Sequence, residues 1–277
     1  MVDTNISLEK SRENIEKIIY KDGDSLVRMM VLSGQARVFM ARTTRLSQVA
    51  SDTHLASDVA SAAASRVLTA CAFLSNMIKE DEGSVSLIFA GNGEGGKIIA
   101  VGEKGKLKVS LENPQLELPK LEDGRLDVEG FIGSSGRLTI IKDMGKNLSP
   151  YIGHADIISG GVAIDLANYF TVSEQTPSLV SIGCLNQNGV VLSAGGIFIQ
   201  ALPNASEEAI QKLEMMIPFF ANISRELFDR SIEDLARLWF RDMDLEILEE
   251  TPLSYSCSCS REKMENALLA SGKEALN

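Results

Sequence analysis

Apolar residues recur along the chain either at every second position, as in a β-strand, or with the spacing of an α-helix. Each change from one pattern to the other marks the start of a predicted element. Residues 26–32 and 35–41 carry a strand pattern on either side of Ser33 and Gly34, which predicts a β-hairpin. Apolar residues then recur with helical spacing from 46 to 78, which predicts one long helix. We expect residues 55–78 of this helix to pack closely on a sheet, because Ala and Ser are abundant there.

Short strand-like runs separated by turn residues fill the chain from 85 to 202. They lie at 85–90, 97–101, 107–111, 126–128, 137–141, 152–158, 179–184, 189–192 and 196–202, with a short helix predicted at 163–170. Strand runs combined with one long packed helix indicate the α+β class with a mostly antiparallel sheet.

The pattern becomes helical again after Pro203. Ser206 is a good N-cap for a helix that we expect to run to about residue 228, with a bend at Pro218, and Ser231 caps another helix. We therefore predict four segments along the chain. They are an N-terminal extension at 1–22, an α+β core domain at 23–202, a helical linker module at 203–250 and a C-terminal segment at 251–277.

Composition narrows the classes of function. The chain has 277 residues, of which 44% are hydrophobic and 23% charged, as in soluble globular proteins. A net charge of −11 argues against partners such as nucleic acids or acidic membranes. The N-terminus has no apolar signal core, and four cysteines are too few for a disulfide scaffold. We therefore expect a reducing, cytoplasmic location.

Cys257 and Cys259 are the most informative residues for chemistry. They are one residue apart, a spacing that disfavours an unstrained disulfide within the pair but lets a turn at Ser258 aim both sulfurs at one metal ion. Closed structural zinc sites take four such ligands, and no Cys or His follows Cys259. Three interpretations stay open: a truncated site, a site completed by ligands from elsewhere, or two ordinary thiols.

Other candidate sites have simpler interpretations. The G-x-G-x-x-G string at 91–96 is followed by a strand pattern and not by a helix, so it indicates a hairpin turn and not a dinucleotide site. His54 and His154 have no metal ligand at a suitable spacing. We expect a local hydrogen bond for His54, at the start of the long helix, and a structural role for His154 in a strand. Cys71 and Cys184 lie among apolar residues, which predicts buried, unreactive thiols.

Several apolar side chains of the predicted helical module form a second group of candidates. They are typical of packing between modules, and they would also form an apolar surface if the modules separated. We predict that this group contacts a protein partner; it consists of Met215, Met216, Phe219, Phe220, Leu235 and Trp239.

Three strings, in this order along the chain, resemble one known family. They are Ser-Glu-Gln-Thr-Pro-Ser at 173–178, Ala-Gly-Gly-Ile-Phe-Ile-Gln-Ala-Leu-Pro at 194–203 and Cys-Ser-Cys-Ser at 257–260. Together they are similar to the redox-regulated 33-kDa heat-shock chaperone family, the 33 kDa chaperonins. The resemblance covers roughly residues 22–277.

The resemblance implies a function and a cofactor. It implies an ATP-independent holdase, not an enzyme, that binds unfolded client proteins under stress and can form a homodimer when active. It also implies one zinc ion per full-length chain, held by a C-x-C and a later C-x-x-C. Oxidation would release the zinc, form disulfides and expose apolar surface, so Cys257 and Cys259 would be both metal ligands and redox switch.

The distal C-x-x-C of that pattern is absent here, so we expect a fragment or a shortened family member with a partial redox-switch segment at 251–277. Two other classes of function stay open. One is a thiol-disulfide oxidoreductase that uses Cys257 and Cys259, although no C-x-x-C supports it. The other is a small-molecule enzyme with its site in the α+β domain.

Overall fold

The computed structural model describes residues 23–80, 82–145 and 148–256. The predicted extension at 1–22, the pair Cys257 and Cys259, and the predicted last helix lie outside the described residues. The described strands are β1 (Ser25–Val31), β2 (Ala36–Arg42), β3 (Ser84–Gly91), β4 (Ile98–Glu103), β5 (Lys106–Leu111), β6 (Gly136–Asp143), β7 (Tyr151–Asp156), β8 (Ser178–Gln187), β9 (Val190–Ala201), β10 (Glu246–Pro252) and β11 (Ser254–Tyr255).

The described helices separate the strands into groups. They are α1 (Thr44–His54), α2 (Asp58–Asn76), α3 (Val128–Ile132), α4 (Val162–Val172), α5 (Glu207–Met215), α6 (Ile223–Asp229) and α7 (Ile232–Trp239), with a 3₁₀ turn at Ile217–Phe220. The α+β class that the sequence predicts is confirmed.

The strands form two sheets. The first sheet has five strands in the order β10-β1-β2-β9-β8, all antiparallel. The second has six strands in the order β11-β5-β4-β3-β6-β7, antiparallel except for the short β11, which runs parallel to β5. Strands β10 and β11 thus join the last described residues to both sheets.

Helix α2 is the element around which the main core forms. Sixteen of its 19 residues are buried, and both sheets contribute side chains to the same hydrophobic cluster as this helix. Two of its buried hydroxyls bond to the helix backbone: Ser65 Oγ donates to the Ser61 carbonyl at 2.7 Å, and Thr69 Oγ1 donates to the Ser65 carbonyl at 2.9 Å. The buried Ser61 Oγ finds no partner among the described residues. The expected packing of residues 55–78 on a sheet is confirmed for the span of α2.

The predicted single helix at 46–78 is wrong in one respect, because the chain breaks at Leu55. Leu55 ends α1 in the left-handed conformation with a φ of 50°, and Ser57 then caps α2 by accepting a hydrogen bond from the Ala60 N–H at 3.2 Å. The break also moves His54 from the predicted start of a helix to the end of α1.

Two predicted strands differ as well. Residues 126–128 form no strand, because Asp127 Oδ1 accepts a hydrogen bond from the Gly130 N–H at 2.7 Å and thereby caps α3. The predicted strands 189–192 and 196–202 are one strand, β9. The glycines between them serve close strand packing, since a Cβ on Gly195 would lie 2.2 Å from the Ala41 carbonyl oxygen.

Both predicted turns are confirmed. Strands β1 and β2 form the hairpin, with positive φ at Leu32, Ser33 and Gly34. The 91–96 string links the antiparallel strands β3 and β4, so no helix follows it. The predicted domain limits stay predictions, although β10 spans the expected boundary between 250 and 251.

Asp24 connects three parts of the fold. Its carboxylate accepts hydrogen bonds from the Arg45 N–H at 3.1 Å and the Leu46 N–H at 2.6 Å, at the start of α1, and its carbonyl accepts one from the Leu253 N–H at 2.9 Å. Burial raises the pKa of Asp24 to about 6, although these two N–H donors and the charges of Arg42 and Arg45 act in the opposite direction.

The raised pKa makes a prediction about stability and pH. Because the folded state holds this proton more tightly than the unfolded state, the contribution of Asp24 to the free energy of unfolding should fall as pH rises from about 4 to about 6. Urea unfolding at several pH values should therefore show the difference between the native chain and Asp24→Asn decreasing over that window. Asp156→Asn, at an exposed carboxylate on β7, is the control. A difference that is constant or rises with pH would contradict the prediction.

Candidate functional site

Helices α5, α6 and α7 cover the face of the first sheet that is turned away from α2. We call the apolar cluster between them the helix–sheet interface. On the sheet side it consists of Val27, Met29, Val31, Val38, Met40, Ile197 and Ile199, and on the helix side of Ala209, Leu213, Met216, Phe220, Ile223, Leu227, Ile232, Leu235, Ala236, Trp239 and Phe240. It is separate from the main core, so the two faces of this sheet support two different hydrophobic clusters.

The structure divides the six apolar residues that the sequence singles out. Met216, Phe220, Leu235 and Trp239 are buried in the helix–sheet interface, where the rings of Phe220 and Trp239 pack edge to face at 5.1 Å. Met215 and Phe219 are instead 74% and 57% exposed. Four of the six can therefore contact a partner only if the helices move away from the sheet.

Further apolar side chains of the helical segment are exposed like Met215 and Phe219. They are Ile210, Ile217, Phe228 and Leu238. A groove of about 640 Å³ runs between α5 and strands β8 and β9, and Ile210, Ile217 and Leu179 line it. Contiguous exposed apolar area of this kind marks a surface that binds other proteins.

Two of the motifs found in the sequence meet in a polar network. Gln200 of β9 donates from Nε2 to Ser178 Oγ at 3.0 Å and accepts from Arg37 Nε at 2.8 Å. Glu174 accepts from Lys142 Nζ at 2.5 Å and from the Tyr169 hydroxyl at 2.9 Å. The network holds the 173–178 loop against the first sheet, so these motifs have a structural role.

Arg37, Lys142 and Tyr169 are members of this network that sequence reasoning missed. Their partners come from distant parts of the chain, so no local spacing reveals them. Burial, with the Glu174 hydrogen bond adding to it, raises the pKa of the Tyr169 phenol above its usual value. The phenol therefore stays protonated and donates to Glu174.

The two described cysteines are unreactive. Cys71 is fully buried, and burial raises the pKa of its thiol well above the usual range. Burial also raises the pKa of Cys184 to about 11, against the opposing influence of a Ser65 hydrogen bond and the charge of Arg66. Both thiols are free and neutral near pH 7. The predicted burial is confirmed for Cys71, whereas Cys184 is only half-buried.

The last described residues lead the chain from the sheets to the cysteine pair. The Ser256 N–H donates to the Leu107 carbonyl at 2.8 Å, and the Tyr255 hydroxyl lies 3.5 Å from His54 Nε2. His54 Nε2 in turn contacts the Val109 carbonyl at 2.9 Å. His54 therefore has a structural hydrogen bond, but to a residue 55 positions away and not the predicted local bond. His154 also has a structural contact, since its Nδ1 lies 3.0 Å from Thr139 Oγ1.

Cys257 and Cys259 themselves lie outside the described residues. Thiolates are the donors that zinc takes in structural sites, but these two supply only half of a closed tetrahedral set. Among residues 23–80, 82–145 and 148–256, no group of three or more His, Cys, Asp or Glu side chains could hold a metal ion. The described residues therefore do not hold a metal ion by themselves.

The described residues form an α+β core with an apolar sheet face that three short helices cover, and in the sequence the pair Cys257 and Cys259 follows the last described strand. The chain belongs to the Hsp33 family, since the family model described as "Hsp33 protein" matches residues 24–277.

Named relatives and a solved structure agree with this assignment. The 33 kDa chaperonin of Clostridium tetani is 38% identical over 257 residues, which cover 91% of this chain and 87% of that protein. The 33 kDa chaperonin of Clostridioides difficile is 36% identical over 255 residues, with the same two coverages. The crystal structure of the 33 kDa chaperonin of Thermotoga maritima, 29% identical, superposes with a TM-score of 0.83 over 92% of this chain and 87% of that one.

Two leucines of α7 test how much the helix–sheet interface contributes to stability. Leu235 is fully buried and Leu238, one turn later, is 50% exposed. Leu235→Ala should lower the free energy of unfolding by about 2–5 kcal/mol, because it leaves a cavity in the interface. Leu238→Ala should change it by less than about 1 kcal/mol. Urea unfolding measures both, and equal losses would show that α7 is not anchored through Leu235.

Zinc binding by the 277-residue chain gives a second prediction. Through Cys257 and Cys259 alone, binding should be weak, because water would fill half of the coordination positions. Zinc stoichiometry on the reduced chain, in competition with a chromogenic chelator, measures this, and the Cys257→Ser/Cys259→Ser variant is the control. Tight binding of one zinc per chain that is lost in the control would mean that other ligands complete the site.

Proposed function

We propose that this chain is a molecular chaperone of the holdase type, which binds unfolding client proteins without ATP and prevents their aggregation under oxidative or heat stress. Oxidation of Cys257 and Cys259 is the proposed activating event. Family membership and the names of the relatives support the chaperone assignment. The observation that carries it is the helix–sheet interface, because a holdase needs apolar surface that can be covered and uncovered.

The helices that cover the interface depend on the sheet for their structure. Helices α5, α6 and α7 have 9, 7 and 8 residues. Isolated helices shorter than about 12–15 residues are marginal in water. Once these helices leave the sheet, they lose most of their stabilisation. Both the sheet face, with Val27 and Met29, and the helix faces, with Phe220 and Leu235, would then be open to a client.

The chain path links the helices to the cysteine segment. The helices follow β9 and precede β10, and β10 is the edge strand that pairs with β1. The cysteine segment comes directly after Tyr255 and Ser256, which bond to β5. An event at Cys257 and Cys259 that weakens these bonds would loosen β10 and with it one end of the helical cover.

Oxidation is chemically suited to such an event. A thiolate attacks a peroxide to form a sulfenic acid, the O–O bond breaks, and the peroxide is reduced to water or an alcohol. The sulfenic acid then condenses with a thiol of a second molecule to a disulfide and releases water, since the spacing of Cys257 and Cys259 disfavours a disulfide within the pair. By the family resemblance, zinc would supply a cross-link between thiolates in the reduced state. These oxidation steps involve the thiols and the peroxide alone, and Cys257 and Cys259 supply only half of a closed tetrahedral zinc site.

Other features fit this proposal. No described helix is long and apolar enough to cross a membrane. A cytoplasmic location and an active homodimer stay predictions from composition and resemblance. No observation among the described residues favours the thiol-disulfide oxidoreductase or the small-molecule enzyme.

Suppression of client aggregation tests the proposal. Light scattering of a heat-denatured client should fall when the chain is added without ATP, and we expect a stronger effect after peroxide treatment. The exposed pair Met215 and Phe219 should contribute to client contact, so Met215→Ser/Phe219→Ser should raise the amount of chain needed for half suppression about threefold or more.

The matched control replaces two apolar residues of similar exposure in the part of the chain that forms the second sheet. Ile152→Ser/Ile158→Ser, at positions that are 54% and 55% exposed, should leave suppression unchanged. Absence of suppression at several-fold molar excess, both reduced and oxidised, would refute the holdase function. Equal effects of the two double variants would refute the role of Met215 and Phe219.

A further inference from the structure

A cavity of about 760 Å³ opens on the first sheet, on the face opposite to helices α5–α7. Strand alternation sets this side: Val27 and Met29 point into the helix–sheet interface, so Arg28 between them points to the other face. Side chains of β1, β2 and β10, the end of α2 and the turn between β4 and β5 line the cavity. It is distinct from the client-binding region proposed above.

Positive charge dominates this cavity. Arg28, Arg37, Lys79 and Lys104 line it, against one carboxylate, that of Glu249. The concentration of positive charge contrasts with the net charge of −11 of the whole chain. Cationic side chains that converge on a concave site attract anions and raise their local concentration.

The two arginines occupy positions that the strand pattern assigns to apolar residues. Arg28 follows Leu26 on the core-facing row of β1, and Arg37 precedes Phe39 on the same face of β2; both apolar neighbours are almost fully buried. Arg28 lies opposite Phe39, and Met30 lies opposite Arg37. At this end of the sheet, the row that continues from the core therefore ends in two adjacent guanidinium groups.

The hydrogen bonds of these arginines leave room for an anion. Arg28 Nη2 pairs with Glu249 Oε2 at 2.9 Å, but its Nε is buried and finds no hydrogen-bond partner among the described residues. Arg37 Nε donates to the neutral amide of Gln200 at 2.8 Å. Burial lowers the pKa of Arg37, and the nearby charge of Arg28 adds to this, although the carboxylate of Glu174 acts in the opposite direction and more strongly than Arg28.

We propose that this cavity binds a small anion that carries two or more negative charges, with phosphate or carboxylate groups placed against Arg28 and Arg37. Planar guanidinium groups suit both kinds of group, and Lys79 and Lys104 would add charge at the rim. The walls also include Met30, which suits an organic part of the ligand. The volume lies in the range of small-molecule sites, roughly 300–1,000 Å³.

Binding would also stabilise one strand. Leu248, Glu249 and Thr251 of β10 form part of the cavity wall. A ligand that contacts both β10 and β1 stabilises their pairing by mass action. Since β10 is the strand between the helical cover and the cysteine segment, the anion would favour the closed arrangement of the protein.

Isothermal titration calorimetry at low ionic strength tests the site directly, with pyrophosphate and citrate as probes. We expect saturable binding of one anion per chain. Pyrophosphate binding alone would assign a phosphorylated ligand, citrate binding alone a polycarboxylate, and either result supports the proposal. Lys79→Gln should weaken binding about twofold to fivefold, as for an exposed ion pair, and Arg37→Gln should weaken it further.

A substitution that should strengthen anion binding distinguishes this site from a general attraction of anions to the protein. Glu249→Gln removes the competing carboxylate and should strengthen binding about twofold to fivefold. Lys212→Gln, at an exposed lysine of α5 remote from the cavity lining, is the control and should have no effect. The proposal is overturned if neither probe binds saturably, if Lys212→Gln weakens binding as much as Lys79→Gln, or if Glu249→Gln leaves affinity unchanged or lowers it.

Discussion

A helix that is enclosed along nearly its whole length must admit close neighbours and must find partners for its polar side chains. Its neighbours can approach closely only if its side chains are small, and α2 places alanines at 60, 62, 63, 64, 70 and 72. Of its buried hydroxyls, those of Ser65 and Thr69 donate to the helix backbone, whereas that of Ser61 finds no partner among the described residues. Both sheets share a core through this helix, so the relative position of all other elements depends on it.

The first sheet is apolar on both faces because it separates two hydrophobic clusters. Its central strands show this directly: β2 is buried at all but one position, and β9 has an unbroken buried run over most of its length. One face is closed by α2 and the second sheet, and the other by three short helices. The two sets of covering elements differ in stability. Helix α2 and the second sheet are continuous with the main core, whereas the three short helices have little stability of their own. A sheet of this kind can lose one cover and keep its fold.

The last described segment, from β10 to Ser256, connects the short helices to both sheets. After α7 the chain returns to the first sheet as β10 and then reaches the second sheet through β11 and Ser256. Asp24, at the start of β1, accepts from the N-terminus of α1 and bonds to Leu253 between these two strands. The charged cavity lies on the same strand pair, beside the bulge in the β1–β10 register at Arg28 and Met29. The β1–β10 pairing, the charged cavity and the segment that leads to the cysteine pair therefore lie at the same edge of the first sheet.

The spacing of apolar residues and the turn residues were sufficient to predict the class of fold, most strands and the turns at Gly34 and 91–96. These features depend on residues that are neighbours in the chain. The resemblance of short strings identified the family. Local patterns failed where a tertiary contact or a cap decided the outcome. Leu55 adopts the left-handed conformation between two helices that the apolar spacing joins, and Asp127 caps a helix where the residues favour a strand.

Strand β10 was not predicted, because its exposed, acidic residues form a strand only by pairing with β1. Apolar spacing found Met215, Phe219, Phe220 and Leu235 as a group, but only the docking of the helices decides which of them face water. The sequence by itself thus determined most of the elements and the family. The tertiary structure alone decided which apolar residues are covered and where Arg28 and Arg37 meet, because both depend on contacts between residues far apart in the chain.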